Sequence, residues 1–161
     1  MSQRLIIVGA GGHAKVVAET AQLAGYSIVG FVDHNPDLQG HCLLGLPVLG
    51  DERALARDEY SDCFVVIAIG DNRDRENAAR RLAKQGPQYA TIVHPSAVLS
   101  SSAKLGIGSV VFAGAVVNSS ATIGEHCILN TQACVEHDCV IDSFVHVSPG
   151  ACLAGGCRIG R

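Results

Sequence analysis

Apolar and polar positions follow two different rhythms along this chain, and the change falls near residue 93. Before it, apolar runs of strand length alternate with stretches of helical period. Arg4 to Val8 reads as an apolar strand, Gly12 to Ala24 as a helix, and Ser27 to Val32 as a second strand ending at Asp33. Leu46 to Leu49 predicts a short strand and Asp51 to Arg57 a short helix. Cys63 to Ile69 predicts another strand, Asn72 to Gln85 a charged amphipathic helix, and Tyr89 to Val93 a last strand. Strands alternating with helices predict a parallel sheet with crossover helices, hence an α/β domain over residues 1–93.

From His94 the helical period gives way to a period of six. In hexads the chain reads AVLSSS, AKLGIG, SVVFAG, AVVNSS, ATIGEH, CILNTQ, ACVEHD, CVIDSF, VHVSPG, ACLAGG, CRIGR. The first place holds Ala, Ser or Cys in every hexad except the one opened by Val145, and the third is always aliphatic, from Leu99 to Ile159. This is the hexapeptide pattern of a parallel β-helix. Each hexad is a short strand and a corner, its third residue turned into the coil and its small first residue placed where the wall turns. One hexad cannot bury its aliphatic residue alone, so stability comes from stacking coils over residues 94–161.

Composition narrows the function. The 161 residues carry a net charge of −3 with no long Lys/Arg cluster, which argues against a nucleic-acid partner. The apolar run at the N-terminus is broken at once by glycines, and Phe64 to Ile69 is only strand-sized, so neither a signal peptide nor a membrane span is expected. The expected setting is cytoplasmic. Seven cysteines lie scattered without CxxC pairs, and no zinc-ligand spacing links them to the histidines. They read as buried thiols, and no metal is expected.

The stretch GAGGHA, residues 9–14, follows a strand and opens a helix, with Asp33 at the end of the next strand. By itself this is a dinucleotide fingerprint: backbone N–H groups and a helix N-terminus for phosphate, and an acid for a ribose hydroxyl. The domain is about half as long as a dinucleotide fold requires, which favours a mononucleotide over NAD and disfavours a small NAD-linked oxidoreductase. The plainer alternative is that the glycines only make a tight turn and Asp33 caps a strand.

The segments IIVGAGGHAKVVAET, GFVDHN and VVIAIGDN, and then the hexads from IVHPSAVLSSS to ACLAGG, resemble a bacterial family of hexapeptide-repeat sugar acetyltransferases. The family contains sialic-acid O-acetyltransferases and N-acetyltransferases of UDP-4-amino-sugars on the way to bacillosamine. The resemblance covers essentially the whole chain. It implies an α/β Rossmann-like nucleotide-binding domain, then an all-β left-handed parallel β-helix, assembled as a homotrimer with acetyl-CoA as co-substrate between neighbouring helices. The handedness comes from the resemblance, because parallel crossovers are ordinarily right-handed.

In such a helix a coil takes three hexads, so residues eighteen apart stack. His137 then stands at a corner, the fifth place of its hexad, below Gly155 and Gly156, which carry no side chain to obstruct a ligand. An imidazole with an ordinary pKa of about 6.5 suits removal of a proton from an attacking amine or hydroxyl. A glycine N–H suits the oxyanion of a thioester under attack. Glu136 or Asp138 could orient the ring, and the alternative is a solvated corner histidine among charges. The resemblance assigns the base to His137 and its carboxylate partner to Asp138, where close relatives have Glu, while the stacking offers the Gly155 N–H to the thioester carbonyl. His146, at an outward second place, is a surface or interface histidine or, by resemblance, a contact to acetyl-CoA or to the acceptor in the cleft between subunits.

The resemblance also puts Gly11, Gly12 and His13 near the phosphates or sugar of a nucleotide-sugar acceptor, Asp33 near its ribose or base, and Gly70 and Asn72 on the far side of the pocket. The chain ends at Arg161 inside an incomplete hexad, and family members usually continue for further coils and a cap. The β-helix is therefore expected to be incomplete at its C-terminus and to bind acetyl-CoA weakly. The expected activity is N-acetylation of a nucleotide-linked 4-amino-sugar for bacterial surface glycans. The rivals are a sialic-acid-type O-acetyltransferase and a catalytically silent trimeric scaffold.

Overall fold

In the computed structural model, which describes residues 2–160, the apolar run Arg4–Val8 is strand β1 and pairs in parallel with β2 (Ser27–Val32) and β5 (Phe64–Ile67). Leu5, Ile6 and Ile7 have no exposed surface, as a strand covered on both faces demands. A hairpin of β3 (Cys42–Leu43) and β4 (Leu46–Pro47) follows β2, and Val48 bridges to Phe31 at the sheet's edge. Strand β6 (Gln88–Tyr89) closes the other edge, giving the order β2-β1-β5-β6.

Helix α1 (Gly12–Leu23) buries Ala14, Val17, Ala18 and Ala21, one stripe at i, i+3, i+4 and i+7. Helix α2 (Asn72–Leu82) repeats that spacing with Arg75, Ala78, Ala79 and Leu82, so an arginine occupies the first place of an apolar stripe. The Asp71 side chain caps α2 by accepting from the Asp74 N–H at 2.9 Å. The helix expected to reach Gln85 changes to a 3-10 turn at Ala83–Gln85 and stops at Gly86, whose φ of +60° suits a left-handed cap. The short helix expected at 51–57 is a 3-10 segment, Glu52–Ala56.

The strand expected over Tyr89 to Val93 is two strands belonging to two units. Tyr89 pairs with Val65, whereas Ile92–Val93 pairs with Val110–Val111 as the first rung of the β-helix. The contact boundary accordingly falls between Ala90 and Thr91. Val93 keeps the hexad phase, but Thr91 stands where the later hexads have Ala, Ser or Cys, which hides this rung in the sequence.

From there three parallel sheets, each of four two-residue strands, are built from the second and third places of successive hexads. Val98, Val116, Cys134 and Cys152 lie in register, and each step is eighteen residues. First and third places from Val111 to Val147 form the core, at most 5% exposed. Every sixth place from Gly108 to Gly156 has a positive φ, between +52° and +75°. From His126 onward that turn lets the sixth N–H donate to the fifth carbonyl of the coil below, as Asp138 does to Ser119 at 3.0 Å and Gly156 to His137 at 2.8 Å, whereas Gly108, Gly114 and Ser120 donate to hydroxyls of Thr91, Ser96 and Ser102. The last residue of the final hexad, Arg161, lies outside the described residues.

Candidate active site

The corner Glu136-His137-Asp138 is held from both sides by those two backbone bonds, so its side chains project from a fixed frame. Asp138 adopts φ +60°, a conformation an aspartate tolerates better than most residues. The left-handed turn swings its carboxylate back to the preceding ring, and His137 Nδ1 lies 2.8 Å from Asp138 Oδ2. The short side chain of an aspartate therefore reaches the ring of the residue before it. The bond and charge of Asp138 raise the pKa of His137 above its ordinary value, and Glu136 adds a smaller push. With Nδ1 donating to the carboxylate, Nε2 of the neutral ring is an acceptor.

Of the two acids able to orient the ring, Glu136 is otherwise engaged. It accepts from Asn118 Nδ2 at 2.9 Å, one coil below, and from the Cys134 thiol at 3.5 Å.

Gly155 stands over the ring as the eighteen-residue spacing requires, though the space its missing side chain leaves belongs to His137. A Cβ there would lie 2.5 Å from His137 Nε2 and 2.6 Å from Cε1. The glycine thus admits the imidazole, and its N–H has no backbone acceptor among the described residues. His146 is on another of the three sheets, with Nε2 2.9 Å from Asn130 Nδ2. Asn130 Oδ1 accepts from the Thr131 N–H, which turns the amide's NH2 toward the imidazole.

A separate cavity of about 620 Å³ opens in the first unit where β1, β2 and β5 end. This is the crevice between β1 and β5, the switch point of a doubly wound sheet. Gly11, Gly12, His13, Asp33 and Gly70 all line it. Asn72 does not: its Oδ1 accepts from Arg75 Nη2 at 2.9 Å. The structure also separates the roles of the glycines. Gly9 has φ +103° and would press a Cβ to 3.0 Å from the Ala68 carbonyl, so packing demands it. At Gly11 and Gly12 a Cβ would meet nothing within 4 Å. Nothing in the described fold excludes a side chain there, which leaves room for a ligand as the reason for both.

The α1 N-terminus has no side-chain cap and no acid in its first turn, so its N–H groups and dipole face an electrically open site. Asp33 is already employed: Oδ2 accepts from the Ala10 N–H at 2.8 Å and Oδ1 from the Asn35 N–H at 2.9 Å. It pins the glycine loop, a role that spacing did not disclose. The sequence reading also missed Glu52, Asp74, Asn77 and Arg81 on the cavity wall. The last three lie at i, i+3 and i+7 on α2, a polar stripe legible in the sequence only once that helix is known to border a site.

Comparison with known proteins places this geometry. Residues 4–82 match the family model described as the PglD N-terminal domain. The chain is 37% identical over 115 residues to the UDP-N-acetylbacillosamine N-acetyltransferase of Bacillus subtilis, a match covering 69% of this chain. It spans 52% of that relative's length. Perosamine N-acetyltransferase from Caulobacter crescentus, solved as a histidine-to-asparagine variant with CoA and GDP-perosamine, superimposes with a TM-score of 0.89. It is 39% identical, with 96% of this chain and 72% of that one covered. The acetyltransferase domain of PglB from Neisseria gonorrhoeae is 40% identical with a TM-score of 0.87, over 99% of this chain and 77% of that domain.

Proposed function

Because the chain belongs to the bacterial hexapeptide-repeat sugar acetyltransferases, with an α/β domain followed by a left-handed β-helix, we propose that it transfers acetyl from acetyl-CoA to a nucleotide-linked 4-amino-sugar. The observation that carries this is the His137–Asp138 pair set against Gly155. The acceptor amine attacks the thioester carbonyl carbon, forming the C–N bond, while its proton moves to His137 Nε2. Asp138 holds the Nδ1 proton and stabilises the imidazolium. The Gly155 N–H donates to the oxyanion. Collapse breaks the C–S bond, and the departing thiolate recovers the proton. The names of the relatives, N-acetyltransferases of amino-sugars, support an amine as acceptor. Activity as a homotrimer is part of the same proposal, supported by an outward row of Val98, Val116, Cys134 and Cys152 in which Val98 is 62% exposed.

The test supplies acetyl-CoA with a nucleotide-linked 4-amino-sugar and identifies the acetylated atom by NMR. An amide is expected; an ester formed on free sialic acid would favour the O-acetyltransferase, and no transfer to either the silent scaffold. The pH profile adds a second check. The base must be unprotonated, so kcat/KM rises with pH through the His137 pKa, which Asp138 raises. Asp138→Asn keeps a residue tolerant of positive φ and removes the charge, so the acidic limb should move to lower pH. A limb that stays in place would assign it to another group.

The cavity is the proposed nucleotide site, with phosphates on the α1 N-terminus. Gly11→Ala separates this from a purely structural role, because φ is −88° and a methyl has room. The melting temperature should hold while nucleoside diphosphate affinity falls about tenfold, the worth of one displaced charge-assisted hydrogen bond. Unchanged affinity would remove the loop from the site.

A further inference from the structure

We infer that α2 reads the nucleobase and selects guanine over uracil, an inference that rests on the proposal that the cavity holds a nucleotide. Two acids on the cavity wall already accept a hydrogen bond on each carboxylate oxygen. Asp33 spends both carboxylate oxygens on the Ala10 and Asn35 N–H groups. Glu52 accepts on both from Arg81, at 3.1 Å from Nε and 2.7 Å from Nη2, which leaves that guanidinium its Nη1 donors toward the cavity it lines. The side chains of Asp74 and Asn77, one helical turn apart on α2, have no hydrogen-bond partner among the described residues, and both line the cavity. On α2 the wall therefore offers a ligand the Asp74 carboxylate, which only accepts, and the Asn77 amide, which both donates and accepts, beside the remaining Arg81 N–H donors.

Guanine presents two adjacent donors, N1–H and the N2 amino group, beside the O6 acceptor. A carboxylate takes both donors at once, and an amide NH2 three residues along the helix satisfies O6. Uracil presents a single donor, N3–H, flanked by two carbonyl oxygens. A carboxylate facing that edge gains one bond, and its second oxygen opposes a carbonyl. Adenine places a ring acceptor beside its amino group, so it too leaves one carboxylate oxygen opposed. The two relatives named by their nucleotide, one acting on a UDP-sugar and one bound to a GDP-sugar, frame this choice. The uncommitted Asp74 decides it for GDP.

Calorimetry of the full chain with GDP and with UDP is the test. GDP is expected to bind about 10- to 100-fold more tightly, the range of one or two hydrogen bonds to a charged group. Asp74→Asn should erase most of that preference by weakening GDP and sparing UDP. Asn77→Asp, which sets a second carboxylate against O6, should also weaken GDP selectively. UDP binding as tightly as GDP, or Asp74→Asn changing both equally, would overturn guanine selection and leave the nucleotide site standing. Binding of neither nucleotide would overturn the nucleotide reading itself, and this inference with it.

Discussion

Alanine in place of His137 should lower kcat/KM for acetyl transfer by about 10²- to 10⁴-fold, the contribution of a positioned general base. The melting temperature should hardly change, because the ring is mostly exposed and its one side-chain bond is to an equally exposed carboxylate. The corner itself survives, since the bonds that fix it run from Gly156 N–H to the His137 carbonyl and from Asp138 N–H to Ser119. Gly155→Ala should produce a loss of similar size by another route, its methyl driving the imidazole from its place while every titrating group remains. Retention of more than about a tenth of wild-type activity by His137→Ala would sink the base assignment.

Arg75→Ala should cost the first unit about 3 kcal/mol or more, since a fully buried side chain is removed and the loop carbonyls of Ile69 and Gly70 lose its guanidinium as donor. Arg75 is 1% exposed, and its Nη1 donates to the carbonyls of Ile69 at 2.8 Å, Gly70 at 3.0 Å and Asp71 at 3.3 Å. These carbonyls belong to the loop between β5 and α2, so one guanidinium does the work of a cap for the whole turn. At about 4–8 °C per kcal/mol for a domain of this size, the unit's melting temperature should fall by more than about 10 °C. Gly70 lies on the cavity wall, so nucleotide affinity should fall as well. A shift of only a degree or two would mean that water replaces the guanidinium at little cost.

Arg75 also shows where sequence reading runs out. Its spacing with Ala78, Ala79 and Leu82 marks it as a core position, yet its charge marks it as surface. Only the backbone path from Ile69 to Asp71 reveals the acceptors that make burial tolerable. Asn72 failed for the same cause, because its amide turned to Arg75 and away from the cavity. Thr91 hid the first rung of the β-helix, since a rung is defined by pairing eighteen residues away and not by the residue that opens it.

By itself the sequence determined what repeats. A six-residue period forces aliphatic residues into one interior, and its multiple of eighteen stacks Gly155 over His137. The alternation of strand and helix periods likewise determined a parallel sheet, and with it a crevice behind the glycine loop. The tertiary structure alone decided which polar groups are spent and which are free. It engaged Glu136 with Asn118 and left Asp138 to the imidazole, and it committed Asp33 and Glu52 while leaving Asp74 open to the cavity. Periodicity follows from burial, which each residue's own chemistry announces. Hydrogen-bond pairing depends on which groups the chain's path brings within about 3 Å, and no single position encodes that.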